Sequence, residues 1–429
     1  DQQIEIPWSG LKWARPYLSN NARGPTPENA YDIVKMGDII RVNKTGAEHW
    51  ALAQIPRIQS AFVSISPSNG ALLALVGGFD FQHSKFNRAT QAARQPGSNF
   101  KPFIYAAALE NGFTAASMIN DAPVVFNDEL LESSWRPENY SGKFFGPTRL
   151  RKALYKSRNL VSIRLLNAVG IKKAVNYVQR FGFTASQLPK DLSLALGSAE
   201  FTPYEIATGY AVFANGGYKI EPYVVDRIEN HHGEQLFRAN PKTVCMTCNR
   251  AEDNLTNKRN DRERLLEEAL QQELGDLGQQ TASGKEQTSS TDAPINLDTP
   301  NSQPVLAEQH PSAEQIVEPR IAYIINSVLK DVIRVGTGRR ARVLGRTDLA
   351  GKTGTTNDQK DAWFSGFNQN IVATVWVGFD QPQTLGKREV GGYAALPVWI
   401  DFMSKALAGT AETELNRPDR LVTVRIDPN

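Results

Sequence analysis

The chain has 429 residues, of which 41% are hydrophobic and 22% charged, and its formal net charge is +3. This length allows two or three domains with a sizeable core, while the near-balanced charge argues against a nucleic acid as the main ligand, because no basic excess exists to neutralise phosphates. No run of about 18 apolar residues predicts a membrane span, and two cysteines exclude a disulfide-framework fold.

The N-terminal part of the chain is predicted to be rich in strands. Residues 1–55 contain short alternating runs such as Asp38-Ile-Ile-Arg-Val-Asn43, which are typical of a small β module. Two apolar runs then follow, Phe62-Val-Ser-Ile-Ser66 and Ala71-Leu-Leu-Ala-Leu-Val76. The sequence between them, Pro67-Ser-Asn-Gly70, favours a turn, so a hairpin is expected.

The middle of the chain is predicted to be mostly helical, from Ser98 to about Phe213. Within it, Thr202-Pro-Tyr-Glu205 is a capping box with proline at the first helical position, and Asn215-Gly-Gly217 ends that helix. Nearer the C-terminus the patterns predict a helix, two strands and a last helix, at Ile321 to Ile333, near Ala350, at Ile371 to Val377, and at Leu396 to Ala406. Strands at both ends with helices between them predict an α+β sheet whose first and last strands pair.

A polar insertion interrupts this pattern. Residues 238–322 contain no Phe, Trp or Tyr, so the segment cannot bury enough apolar surface to offset its ordering entropy. We expect residues of about 249–315 to be a disordered insertion, with a solvated or transient helix at 261–274. The pair Cys245 and Cys248 borders it; a local disulfide is favoured over a zinc site shared with His231 and His232.

The sequence Gln95-Pro-Gly-Ser-Asn-Phe-Lys-Pro102 begins a predicted helix that ends at Glu110-Asn-Gly112. Ser98 and Lys101 are three residues apart, so their side chains share one face, and Ser98 lies at the positive end of the helix dipole. A lysine kept neutral by burial or by a second cation can activate a serine. Because S-x-x-K arises often by chance, and occurs again at Ser327-Val-Leu-Lys330 in mid-helix, the motif alone is weak.

Two further short motifs carry polar side chains suited to catalysis. Ser157-Arg-Asn159 lies between two helical runs, where a hydroxyl and an amide can relay a proton and hold a substrate amide. Gly351-Lys-Thr-Gly-Thr355 follows an apolar approach and is predicted to be a strand able to dock an extended peptide and its terminal carboxylate. Each motif also has a second match, at Ser19-Asn-Asn21 and at Lys44-Thr-Gly46, both interpreted as turns or loops.

The order of the motifs is more specific than any one of them. S-x-x-K, S-x-N and K-T-G follow one another at a helix start, an interhelical loop and a strand, as in penicillin-binding proteins and β-lactamases. From about Ile58 to Leu407 the chain resembles the transpeptidase domain of class A penicillin-binding proteins, in particular the 1a type, a resemblance that also includes Leu194-Ala-Leu-Gly-Ser198 and Asp361-Ala-Trp-Phe-Ser-Gly366. The departure is Arg158, where the S-D-N pattern has aspartate.

The resemblance implies an architecture. It predicts an α+β penicillin-binding fold, an antiparallel sheet with helices on both faces, over residues 58–429, and a small OB-like β module over residues 1–57. The family's glycosyltransferase domain and membrane anchor would precede this chain, which opens on Asp1 and is interpreted as a processed fragment. The implied location is the periplasmic face of the bacterial inner membrane.

The resemblance also implies roles for individual residues. Ser98 would be the nucleophile, Lys101 its general base, and Ser157 the proton shuttle to the leaving amine. Asn159 would hold the donor amide, and Lys352 would set the electrostatics and lower the pKa of Lys101. The residues that would bind the substrate carboxylate or frame the oxyanion hole are Thr353, Gly354 and Thr355, with the backbone N–H groups of Ser98 and Thr355.

The implied reaction is cross-linking of peptidoglycan stem peptides. A donor ending in D-Ala-D-Ala would acylate the serine, and the amine of a neighbouring stem would resolve the acyl-enzyme. β-Lactams would acylate the same serine, no cofactor or metal is required, and regulators of cell-wall synthesis are implied as partners. The resemblance also implies a contribution to cell shape and to antibiotic resistance.

Two alternatives stay open at this point. A class A β-lactamase shares all three motifs but needs a carboxylate that drives deacylation, and no E-x-x-L-N pattern occurs between Asn159 and Lys352. Glu200 and Glu205 fall in that interval, but Glu205 is better explained as a capping partner. A non-catalytic domain that senses β-lactams or binds wall polymer is the second alternative, which turnover of a D-Ala-D-Ala peptide would separate from the enzyme.

Overall fold

The computed structural model describes residues 3–46, 49–125, 135–244 and 311–424. By the contacts that they make with one another, residues 1–241 and 314–429 form one compact unit, and residues 242–313 form a second. Of the second unit, residues 242–244 and 311–313 are described, and they include an isolated parallel bridge between Thr243 and Ser312. The expected disordered insertion, apart from residues 311–315, and the Cys245 and Cys248 pair lie outside the described residues.

The described strands are β1 (Tyr17–Ser19), β2 (Ala22–Arg23), β3 (Arg41–Lys44), β4 (Trp50–Ala53), β5 (Gln59–Ile65), β6 (Leu72–Val76), β7 (Met118–Asp121), β8 (Gly146–Arg149), β9 (Tyr218–Lys219), β10 (Arg227–Glu229), β11 (Gln235–Arg238), β12 (Glu314–Gln315), β13 (Ala350–Thr355), β14 (Asp361–Phe367) and β15 (Val372–Gly378). The described α-helices are α1 (Lys101–Glu110), α2 (Leu150–Lys156), α3 (Asn159–Val169), α4 (Ile171–Gln179), α5 (Pro203–Ala214), α6 (Pro319–Arg334), α7 (Gly391–Ala394) and α8 (Leu396–Ala406). No helix in these described ranges has the length and apolarity needed to cross a bilayer.

A five-stranded antiparallel sheet with the order β13-β14-β15-β5-β6 forms the centre of the larger unit. Every residue of β14 and β15 is buried, as expected for strands covered on both faces. The predicted hairpin is present as β5 and β6, and β15 pairs with β5 in the register Val375 to Phe62. The expectation that the first and last strands of the sheet pair is therefore confirmed.

Helices pack on both faces of this sheet. On β14, Phe364 contacts Trp399 of α8, with ring centroids 5.0 Å apart, while Phe367 contacts Tyr210 of α5 at 6.3 Å. The two faces differ because successive strand residues point to opposite sides. The predicted α+β fold with helices on both faces is confirmed, and the last helix has the predicted bounds.

The predicted capping box is present at the start of α5. The Thr202 hydroxyl accepts a hydrogen bond from the Glu205 backbone N–H, and the Glu205 carboxylate accepts one from the Thr202 backbone N–H. Reciprocal bonds of this kind satisfy two of the N–H groups that a helix start leaves without intrahelical partners. Glu205 therefore has the structural role that the sequence predicted.

The hairpin of β7 and β8 lies inside the stretch predicted to be mostly helical, so that prediction is wrong there. Four residues of each strand pair, from Met118 with Arg149 to Asp121 with Gly146. Strands this short carry no clear period-2 pattern, and their pairing joins segments that are distant in sequence. The hairpin matters for function because Asp121, at the end of β7, is fully buried behind the second motif.

Candidate active site

Ser98 lies in a one-turn 3-10 helix, Gly97–Phe100, which runs directly into α1. This turn packs against β13, the edge strand that carries the K-T-G motif. Gly97 has φ +54°, and a Cβ added there would lie 2.6 Å from the Thr355 carbonyl oxygen. Glycine is required at this close approach, which places the backbone around Ser98 beside that of Thr355.

Gly354 makes the same contact from the strand side. A Cβ at Gly354 would lie 2.3 Å from the Pro96 carbonyl oxygen and 2.8 Å from Cβ of Asn99. We expect Gly354→Ala to separate β13 from the Ser98 turn, to lower the free energy of unfolding by about 1–3 kcal/mol and to slow acylation by a penicillin more than tenfold.

Denaturant unfolding and acylation rates check this prediction. The matched control is Gly46→Ala in the second K-T-G sequence, where the nearest atom to an added Cβ is 3.8 Å away. Equal effects of the two substitutions would contradict the proposed contact between β13 and the Ser98 turn.

The three motifs meet at the buried amino groups of two lysines. Lys101 Nζ donates to Asn159 Oδ1 at 2.7 Å, to the Ser157 carbonyl oxygen at 2.9 Å and to Ser157 Oγ at 3.4 Å. Lys352 Nζ donates to the same Ser157 Oγ at 3.0 Å and to the Thr353 carbonyl oxygen at 2.9 Å. Both lysine side chains are fully buried. Residues far apart in sequence therefore form one polar network around the Ser157 hydroxyl.

Ser157 takes up a backbone conformation that is uncommon for a serine. Its φ and ψ are 60° and 43°, in the left-handed region, where it ends α2 and lets α3 begin at Asn159. A non-glycine residue held there costs on the order of 1 kcal/mol, and such residues concentrate at functional sites. The sharp turn lets the Ser157 hydroxyl and the Asn159 amide both reach Lys101.

Burial sets the proton affinity of both lysines. It lowers the pKa of Lys352 to about 7, because the charged form loses hydration. The pKa of Lys101 lies well below its ordinary value, chiefly through burial and next through the Lys352 charge, while the Asp121 carboxylate acts in the opposite direction. The sequence left burial and a second cation as possible causes and indicated Lys352 as the cation; the structure places burial first and Lys352 second.

Ser98 is only partly buried, and among the described residues its hydroxyl has no hydrogen-bond partner. Lys101 instead donates to Ser157 and Asn159, so the expected meeting of the Ser98 and Lys101 side chains is not a hydrogen bond in this structure. Residues three apart do share one face of a 3-10 turn. Catalytic hydrogen bonds are often long without substrate and tighten when it binds. The geometry is therefore compatible with Ser98 as the nucleophile and Lys101 as its base.

The threonines of the third motif contact the turn after α6 and the first residue of α7. The hydroxyls of Thr353 and Thr337 are 2.7 Å apart, and Thr355 Oγ1 accepts a hydrogen bond from the Gly391 backbone N–H at 3.1 Å. The sequence reasoning missed Thr337 and Gly391, because nothing in the local pattern around either residue relates it to β13.

The second copies of the motifs lie elsewhere. Ser327 lies in the middle of α6, where its hydroxyl accepts hydrogen bonds from Arg151, and Lys330 pairs with Glu414. Asn20 and Asn21 form the turn between β1 and β2, whereas Ser19 ends β1, so the turn prediction holds for the two asparagines and not for Ser19. Lys44 ends strand β3 and is exposed, so the loop prediction holds for the residues that follow it and not for Lys44 itself.

Comparison with known proteins agrees with this geometry. Residues 60–403 match the family described as "Penicillin binding protein transpeptidase domain", and residues 1–58 match "Penicillin-binding protein OB-like domain". The chain is 50% identical over 423 residues to penicillin-binding protein 1A of Pseudomonas aeruginosa, covering 99% of this chain and 49% of that protein. With penicillin-binding protein 1A of Escherichia coli K12 it shares 42% identity over 448 residues, covering 99% and 51%.

A solved structure is similar over almost the same extent. The crystal structure of penicillin-binding protein 1A from Haemophilus influenzae superposes with a TM-score of 0.76 at 37% identity, covering 92% of this chain and 54% of that one. The chain thus spans about half the length of the relatives that it matches.

Proposed function

Because the chain belongs to the family of penicillin-binding protein transpeptidase domains, we propose that it is a serine D,D-transpeptidase that cross-links peptidoglycan stem peptides and is acylated by β-lactams. The observation that carries the proposal is the convergence of Lys101, Ser157, Asn159 and Lys352 in one buried network, which begins three residues after Ser98. Such a network supplies a nucleophile, a base and a charge in one place.

In the acylation step, Ser98 Oγ attacks the carbonyl carbon of the penultimate D-alanine. Its proton passes to the neutral amine of Lys101, which burial keeps available as a base. The backbone N–H groups of Ser98 and Thr355 receive the oxyanion, since Gly97 brings the two backbones together. The proton then reaches the leaving nitrogen through the Ser157 hydroxyl, the C–N bond breaks, and D-alanine departs.

The donor peptide binds along β13. This strand is an edge of the sheet, so an extended peptide can add to it through main-chain hydrogen bonds. The terminal carboxylate lies against the hydroxyls of Thr353 and Thr355 and near the Lys352 ammonium, while the Asn159 amide holds the donor amide. In the second half-reaction the amine of a neighbouring stem attacks the ester, returns a proton to the site and frees Ser98.

The proposed reaction implies a cellular location and binding partners for the protein. Peptidoglycan lies outside the bacterial inner membrane, so the domain works at the periplasmic face, where cross-linking contributes to cell shape. Its ligands are donor and acceptor stem peptides and β-lactams, and altered acylation by β-lactams would change antibiotic resistance. Regulators of cell-wall synthesis are further partners in this proposal, and the division into residues 1–57 and 58–429 is the proposed domain arrangement.

The β-lactamase alternative is not favoured. Of the two carboxylates considered between Asn159 and Lys352, Glu205 is engaged with Thr202 and Gln187 at the start of α5, and Glu200 is exposed. Among the described residues, neither carboxylate forms a hydrogen bond to Ser98, Lys101 or Lys352.

Incubation with a D-Ala-D-Ala peptide or thioester and an acceptor amine tests the function. The proposal predicts release of D-alanine, or of the thiol, and formation of the amide. Covalent binding of penicillin without any turnover of these donors would instead identify a non-catalytic sensor, and rapid hydrolysis of penicillin would identify a β-lactamase.

The pH dependence of acylation has a defined direction. Lys101 has to be neutral, and Lys352 has to be protonated to attract the substrate carboxylate, so the second-order acylation constant should fall above the Lys352 pKa of about 7. Lys352→Arg should move this alkaline limb to higher pH, because a guanidinium stays charged. Acylation constants measured between pH 5 and pH 10 check this; an unmoved alkaline limb in the variant would assign it to another group.

A further inference from the structure

A buried amide behind the second motif holds Asn159 in place. Asn139 is 5% exposed, and its Oδ1 accepts a hydrogen bond from the Asn159 backbone N–H at 2.8 Å. Its Nδ2 donates to Asp121 Oδ1 at 2.7 Å and to the Lys143 carbonyl oxygen at 2.9 Å. The neighbouring Glu138 carbonyl oxygen accepts from Asn159 Nδ2 at 2.8 Å. Two adjacent residues thus fix both the backbone and the amide of Asn159.

This orientation decides what Asn159 offers to Lys101. With Nδ2 directed at Glu138, Oδ1 is the atom that faces Lys101 Nζ, 2.7 Å away. A flipped amide would present a donor to a donor and would leave the lysine without this acceptor. The second hydrogen of Nδ2 stays available for a substrate carbonyl.

Behind the second motif, the Asp121 carboxylate faces the Arg158 guanidinium. Asp121 is fully buried, and its Oδ2 has no hydrogen-bond partner in the described part of the chain. It lies 3.7 Å from Nε of Arg158, the residue that departs from the S-D-N pattern. The Arg158 guanidinium also stacks on Phe145. A carboxylate from β7 therefore balances the cation that the second motif carries at its middle position.

We infer that Asn139 and Asp121 are positioning residues of the acylation reaction, which hold Asn159 and through it Lys101 in the geometry that accepts the Ser98 proton. The inference rests on the proposed function and deepens it. Neither residue touches the reacting atoms. The charge of Asp121 also raises the pKa of Lys101, against the lowering by burial, Lys352 and Arg158.

The chain contains a matched control for this arrangement. Asn368 is buried, its Nδ2 donates to Asp348 Oδ2 at 3.1 Å, and its Oδ1 accepts from the backbone N–H groups of Asn370 and Ile371. Asp348 is in turn paired with Arg346. The same combination of amide, carboxylate and guanidinium therefore supports the turn after β14, where it has no hydrogen bond to the two reactive lysines among the described residues.

The experiment compares four variants by acylation with one penicillin and by thermal unfolding. Asn139→Asp keeps the acceptor for Asn159 but sets a carboxylate against Asp121, and we expect acylation to slow at least tenfold, since small misplacements of reacting groups are costly. Asp121→Asn alone should slow it similarly. The double variant should recover part of the loss, because the amide introduced at position 121 donates to the carboxylate introduced at position 139, while the Lys143 carbonyl oxygen stays without its donor.

Asn368→Asp should lose thermal stability but acylate within about twofold of wild type, because it disturbs an equivalent buried triad outside the site. Acylation by Asn139→Asp at the wild-type rate, or a loss that merely follows the melting temperature as in Asn368→Asp, would overturn the inference. So would a double variant slower than both single variants.

A pH profile gives a readout that a purely structural role would not move. In Asp121→Asn the pKa of Lys101 should fall, since a raising charge is removed, and the acid limb of acylation should move to lower pH. An acid limb left in place would contradict the inference, even where Asn139→Asp does not fold. Failure of the proposed function is distinguishable, because it shows in the wild-type protein alone, which would then not be acylated, would not turn over a D-Ala-D-Ala donor, or would rapidly hydrolyse penicillin.

Discussion

Lys101→Arg is expected to slow acylation by a penicillin on the order of 10²–10⁴-fold, whereas Lys352→Arg retains partial activity. A guanidinium cannot accept the Ser98 proton near neutral pH, and it also cannot keep the single-atom contacts that Lys101 Nζ makes with Ser157 and Asn159. Lys352 has to supply charge, which arginine keeps, although its larger head must fit a fully buried position.

Stopped-flow acylation of both variants measures the difference, with circular dichroism as the check on folding. The matched control is Lys330→Arg, at the last position of the second S-x-x-K sequence, where the lysine pairs with Glu414. We expect this variant to be acylated at the wild-type rate. Equal acylation rates of Lys101→Arg and Lys352→Arg would show that the base is a different group.

Ser98→Ala is expected to abolish covalent penicillin labelling while leaving the fold intact. The hydroxyl forms no hydrogen bond among the described residues and the side chain is partly exposed, so its removal should change the free energy of unfolding by about 0.5 kcal/mol or less. Ser327→Ala, at the serine of the second S-x-x-K sequence, should label as wild type does. Gel fluorescence after labelling and thermal unfolding measure both effects; residual labelling of Ser98→Ala would mean a second nucleophile.

Sequence patterns predicted the parts of the fold that have strong local signals. The apolar run at Ile371 to Val377, the capping box at Thr202 and the periodic helix at Leu396 to Ala406 each determine their structure within a few residues. The β7–β8 hairpin was not predictable in this way, because four-residue strands form only through pairing with each other.

The candidate site, too, was predictable from the sequence only in part. The order of the three motifs identified Ser98, Ser157 and Lys352 as a set, but the shared contact of both lysines with Ser157 Oγ is a result of the tertiary fold. The dominant effect of burial on the lysine pKa values also needs the packed structure. Asp121 and Asn139 carry no motif, and only their hydrogen bonds to each other and to Asn159 relate them to the site.

The most direct test of the account is to locate the covalent adduct. Wild-type protein is labelled with a fluorescent penicillin, digested, and the modified peptide sequenced by mass spectrometry. The account predicts a single adduct on Ser98, in the turn that Gly97 sets against Thr355. An adduct on Ser157 or Ser327, or no covalent adduct on folded protein, would contradict it.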